Sequence, residues 1–103
     1  MAESKSEASR ILGLRLRERR QALSLNQETV AHRAGLNVSN YARSDRGHGN
    51  PTFYTLIRLA GVLGIDASDL LAEFTAEQLP PTRDSCTALD FRREQEAHAR
   101  RGY

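Results

Sequence analysis

The chain has 103 residues, 39% of them apolar and 27% charged, with a formal net charge of +2. That length supports one hydrophobic core and excludes two independent ones. No stretch reaches the roughly 18 consecutive apolar residues of a membrane span, and the single cysteine, Cys86, excludes an intrachain disulfide and a cysteine-based zinc site.

The opening MAESKSEASR carries no apolar run of the secretory kind, and Cys86 reads as an incidental reduced thiol, so the expectation is a cytoplasmic protein. Fourteen of the fifteen basic residues are arginine. Residues 1–74 hold ten basic and eight acidic groups and residues 75–103 hold five of each, so the small excess lies in the N-terminal part. A net charge this small does not argue for nucleic acid; only a local arrangement can.

Residues 1–8 read as a flexible N-terminus. A first helix is predicted from Ser9 to about Leu23, with Leu12, Leu16, Arg20 and Leu23 on one stripe. An arginine on an inward stripe needs a carboxylate partner, because an unpaired buried charge is very costly. Arg15, Arg17 and Arg19 read as a solvated face of the same helix. Asn26 is placed to cap a second helix, Gln27 to Ala34, with Val30, Ala31 and Ala34 inward, and Gly35 to end it with a left-handed residue. Asn37 then caps a third helix through about Arg46, which Gly47 closes. After the loop GHGNP, Thr52 caps a fourth, Phe53 to Leu63, whose apolar positions are Phe53, Leu56, Ile57, Leu59, Ala60 and Leu63. Gly64 stops it, and Asp66 with Asp69 is spaced as a capping box for a fifth helix through about Phe74. No run alternates with period two, so the fold class is all-α, five short helices over residues 9–74. Residues 75–103 read as a linker with a Pro-Pro pair, then a weakly helical or disordered tail. There Thr87 and Asp90 have capping-box spacing and Glu96–Arg100 forms an i,i+4 pair.

The second and third helices, joined by a tight glycine turn, have helix-turn-helix geometry. The shared core draws on Val30, Ala34, Leu36 and Tyr41, while Val38, Ser39, Asn40 and Arg43 lie on the outward side of the third helix. Short and hydrogen-bonding side chains of this kind suit the base edges of a major groove. Arg43 can pair bidentately with guanine, and Val38 can pack on a thymine methyl.

The stretches LSLNQETVAHRAGL and GNPTFYTLIRLAGVLGIDASDLL closely resemble the XRE, or lambda-repressor-like, helix-turn-helix group, over roughly Leu12 to Leu71. The resemblance implies a five-helix DNA-binding domain with Val38, Ser39 and Arg43 at base-contacting positions and Asn40 beside them. It also implies that Gln27, beside the free N–H groups of its helix, holds a DNA phosphate that Asn26 also touches. Arg46, His48 and Asn50 would follow the backbone, and Asp45 would pair with Arg20. Ser44 stands where the family has a large apolar residue, which implies looser packing beneath the third helix. Arg19 stands where a leucine is common. Dimerisation is implied too, and one small module buries only about 600–1,000 Å² on DNA, so two are needed for useful specificity. Ile65, Leu70 and Phe74, near the fourth and fifth helices, are the candidate dimer contacts.

Catalysis finds no support: His32, His48 and His98 lack metal-ligand spacing, no Ser-His-Asp set can be placed, and no phosphate-binding glycine loop follows a strand. No cofactor or metal is expected, and no membrane. The reading is a sequence-specific regulator, a repressor, acting as a homodimer on double-stranded operator DNA. The alternative is an antitoxin-like adaptor whose residues 75–103 bind a partner protein.

Overall fold

The computed structural model describes residues 6–81 together with Arg92, Gln95 and Glu96. Its helices are α1 (Glu7–Ala22), α2 (Gln27–Ala34), α3 (Val38–Asp45), α4 (Phe53–Leu63) and α5 (Ala67–Leu71), followed by a 3-10 turn, Ala76–Gln78. No strand occurs among the described residues, and the fold is all-α.

Local chemistry sets most of the boundaries. The side chains of Asn26, Asn37 and Thr52 accept from the N–H groups of Thr29, Asn40 and Thr55, starting α2, α3 and α4. Each satisfies one of the backbone donors that a helix start leaves free. Gly35 ends α2 at φ 69° and Gly64 ends α4 at φ 68°, a left-handed turn that glycine adopts without Cβ strain. The α1 helix begins at Glu7, ahead of Ser9, because Ser6 supplies the cap: its hydroxyl accepts from the Ser9 N–H at 3.0 Å.

The core is assembled from Leu12 and Leu16 of α1, Val30, Ala31 and Ala34 of α2, Tyr41 of α3, the inner face of α4 and Leu70 of α5. Leu16, Leu59, Leu63 and Leu70 are fully enclosed, each contributing about 1.5–3 kcal/mol of burial. Two sequence expectations are corrected here, those for Leu23 and Leu70. Leu23 is exposed, because α1 stops at Ala22 and a left-handed Ser24, φ 56°, turns Leu25 toward the core instead. Phe53 and Ile57 divide from the other apolar residues of α4 and face outward, 66% and 46% exposed. Leu70 packs wholly inside its own chain, so it has no surface for a dimer contact; Ile65 and Phe74 are half-buried against the same core.

The fifth helix ends at Leu71, short of Phe74, where Ala72 turns extended and Glu73 takes φ 63°. The turn Ala76–Gln78 falls in the stretch read as linker, with the Thr75 N–H donating to Gln78 Oε1 at 2.9 Å. Arg92, Gln95 and Glu96 are helical, with Arg92 and Glu96 3.8 Å apart. The rest of the expected tail, with Cys86, lies outside the described residues. No helix is long and apolar enough to cross a membrane among the described residues.

Candidate nucleic-acid interface

The α2–α3 pair is joined through Gly35, and the Leu36 N–H donates back to the Ala31 carbonyl at 2.8 Å. Ala31 is fully buried, which lets the two helices approach closely. With Tyr41 and Asp45 each 1% exposed, the inner side of α3 is sealed. Its other side carries Val38, 42% exposed, with Ser39, Asn40 and Arg43 also exposed. The Arg43 guanidinium has no hydrogen bond or ion pair among the described residues, and with Asn40, His48, Asn50 and Thr52 it borders an open groove of about 440 Å³. Arg46 and Asn50 are exposed and His48 is half-buried. Asn26 is exposed, its Oδ1 occupied by the cap.

A buried carboxylate holds α3 in place. Asp45 accepts from Arg20 Nε at 2.9 Å and Arg20 Nη2 at 3.1 Å, a bidentate pair with α1. It also accepts from the Tyr41 hydroxyl at 3.0 Å and from Gln27 Nε2 at 2.9 Å. The last guanidinium nitrogen, Arg20 Nη1, donates to the Leu25 carbonyl at 3.1 Å. Hydrogen bonding to Asp45 raises the Arg20 pKa above its ordinary value, and burial raises that of the Tyr41 phenol, with the Asp45 charge adding to it. A pair this enclosed persists because, among the described residues, each buried side-chain nitrogen and oxygen has a hydrogen-bond partner.

Ser44 lines the same open groove together with Gly49, and the loop backbone packs directly against it. Ser44 is 7% exposed, and its small side chain leaves room for the following loop to fold against it. A Cβ on Gly49 would overlap Ser44, and one on Gly13 would stand 2.6 Å from the Gly47 nitrogen and 2.8 Å from the Ser44 carbonyl oxygen. The Ser9 hydroxyl donates to the Gly49 carbonyl at 2.9 Å, tying the loop to the start of α1.

A family model described as Helix-turn-helix matches residues 16–70, more than half of the chain. The chain belongs to the XRE, lambda-repressor-like helix-turn-helix family. This helix-turn-helix protein is accordingly a DNA-binding transcriptional regulator. Among solved structures it is similar to the restriction-modification controller protein C.AhdI of Aeromonas hydrophila, at 37% identity and TM-score 0.58, covering 60% of this chain and 94% of that one. It is also similar to the hypothetical transcription factor NHTF of Neisseria, at 25% identity and TM-score 0.59, covering 79% of this chain and 87% of that one. The competence regulator ComR of Streptococcus vestibularis matches at 26% identity and TM-score 0.61, over 66% of this chain and 23% of that one. No curated protein matches.

In this helix-turn-helix protein two of the three α1 arginines read as a solvated face, Arg15 and Arg19, dock on other helices, while Arg17 reaches only the Gly13 carbonyl of its own helix, at 3.4 Å. Arg15 Nη1 donates to the Leu70 carbonyl at 2.9 Å and lies 4.7 Å over the Phe74 ring, while Arg19 Nε donates to the Leu63 carbonyl at 2.8 Å. Both satisfy carbonyls at helix C-termini, where a cation is favoured. Their i,i+4 spacing beside the Leu12–Leu16 stripe was the available signal. Nothing local signalled the Gln27–Asp45 bond, which joins residues 18 apart. No group of three or more metal-binding side chains occurs among the described residues.

Proposed function

We propose that the protein is a sequence-specific repressor that binds double-stranded operator DNA as a homodimer. The observation that carries the reading is the two-sided character of α3: Tyr41 and Asp45 locked inside, and Arg43 outside with no partner among the described residues. A rod held this firmly presents Val38, Ser39, Asn40 and Arg43 to base edges, with Arg43 on a guanine. Asn26 and Gln27 grip the backbone on one flank, and Arg46, His48 and Asn50 on the other. The similarity to C.AhdI, a restriction-modification controller protein, and to NHTF, a hypothetical transcription factor, supports this role.

One subunit offers one recognition helix, so two-fold operators follow, with half-sites about 34 Å apart, one helical turn. We place the dimer contact on the outer stripe of α4, where Phe53, Tyr54 and Ile57 are 66%, 70% and 46% exposed, with Ile65 and Phe74 as flanking contributors. Such a dimer represses by occupying DNA that the transcription machinery needs.

Selection of bound duplexes from a random pool, at stated salt, yields the operator. On that site Arg43→Ala should cost about 1–3 kcal/mol and relax one base position. An equal loss on random DNA makes Arg43 a phosphate contact and overturns the base assignment. A wild-type protein that binds no duplex in dilute buffer overturns the whole reading.

A further inference from the structure

Gln27 stands at the first position of α2, and its amide donates inward to Asp45. A carboxylate can only accept, so it dictates which way the amide faces: nitrogen toward Asp45, carbonyl oxygen away. The nitrogen carries two N–H groups. Asp45 takes one, and no described residue takes the other. A DNA phosphate is likewise an acceptor only, so it needs that same nitrogen. A flipped amide would set its oxygen against the carboxylate, which Asp45 excludes. With its nitrogen held at Asp45, the amide keeps its second N–H for another acceptor, and a backbone phosphate is an acceptor of that kind.

Two further facts support this. The Asp45 charge is met by the bidentate Arg20 guanidinium, so the carboxylate can aim the amide without repelling the duplex at full strength. Asp45 is also the last residue of α3, so one carboxylate ties the start of α2 to the end of the recognition helix. An untethered glutamine side chain would have to be ordered on binding, which weakens affinity by about tenfold.

We propose that Asp45 is a positioning residue for DNA backbone binding, fixing the Gln27 amide so that its second N–H meets a phosphate beside the recognition helix. The inference rests on the DNA-binding reading above and adds a coupling between two side chains that the reading does not contain.

A double-mutant cycle with the full chain tests it, on the selected operator and on a random duplex. Gln27→Ala in the wild-type background should weaken both duplexes by about tenfold, the size expected for a bond to a charged group. In an Asp45→Asn background the same change should cost about twofold or less, because an asparagine accepts or donates and no longer selects the amide orientation. Equal losses in the two backgrounds overturn the proposal, and so does no loss in either, while operator binding by the wild type keeps the DNA-binding reading intact. Since Asp45→Asn weakens the tie to Arg20, the folded fraction is measured by circular dichroism beside each titration. A second measurement needs no variant. In the wild-type protein followed by NMR, added operator should shift one of the two Gln27 side-chain amide protons and leave the other at its bonded position. Both moving together, or neither moving, overturns the proposal.

Discussion

Replacing Tyr41 with phenylalanine removes one oxygen from the centre of the clamp and leaves the ring in place. Tyr41 is 1% exposed, so packing is preserved and no cavity opens. What disappears is the hydroxyl donation to Asp45 Oδ1 at 3.0 Å. A hydrogen bond to a charged group contributes about 1.5–3 kcal/mol, and with Arg20 and Gln27 still bound to the carboxylate the lower part of that range, about 1.5–2 kcal/mol, applies. In a domain of this size each kcal/mol moves Tm by about 4–8 °C, so the variant should melt about 6–16 °C lower at neutral pH.

Alkali should then close the gap. Burial, with the Asp45 charge adding to it, holds the Tyr41 phenol well above its ordinary pKa of 10.0 in the folded state. In the unfolded chain it ionises normally, so above about pH 10 the unfolded state binds fewer protons and stability falls as pH rises. Tyrosine at this position loses up to about 1.4 kcal/mol per pH unit by this route, and phenylalanine loses none. The wild-type advantage is thus intact below about pH 10, and the two stability curves should meet near about pH 11–11.5. Urea unfolding followed by circular dichroism, at neutral pH and in steps up the alkaline range, measures both effects. A variant within about 0.5 kcal/mol of the wild type at neutral pH, or a gap that stays constant in alkali, refutes the reasoning.

Gly13→Ala should destabilise the domain by about 1–2 kcal/mol despite alanine's better helix propensity, because the added methyl meets backbone atoms of Ser44 and Gly47 that cannot step aside. Chemical denaturation checks this, and operator affinity should fall with it as the end of α3 is displaced; unchanged stability would show that the α1–α3 contact yields freely. Ile57→Asp should leave the monomer folded, since the side chain is 46% exposed, but break the proposed dimer. Sedimentation velocity reads the result, and a variant that dimerises as the wild type does moves the contact away from α4.

The features set by near neighbours were legible in the chain alone. Asn26, Asn37 and Thr52 each cap a helix through the residue three places on, and Gly35 and Gly64 end helices through their own backbone freedom. Such interactions involve a few adjacent residues and carry their signature in spacing. The need of Arg20 for an acidic partner was legible too, because a charge on an apolar stripe cannot stay unpaired. The outward side of α3 followed from the same periodicity that put Tyr41 inside.

What only the tertiary structure decided depends on residues far apart in the chain. Arg15 and Arg19 looked solvated until α4 and α5 brought the Leu63 and Leu70 carbonyls within reach. Phe53, Ile57 and Leu70 are all apolar, and the way α4 and α5 dock settles which face water and which fill the core. Ser44 stands where a large apolar residue was expected, and the close approach of Gly49 to it comes from a loop whose path only the packing shows. The Asp45 carboxylate is the clearest case: its donors come from three helices, and only their mutual packing determines that Arg20, Gln27 and Tyr41 share one acceptor. Periodicity reports that a side chain is inside, whereas its partner is selected by the competition of all elements for the same interior.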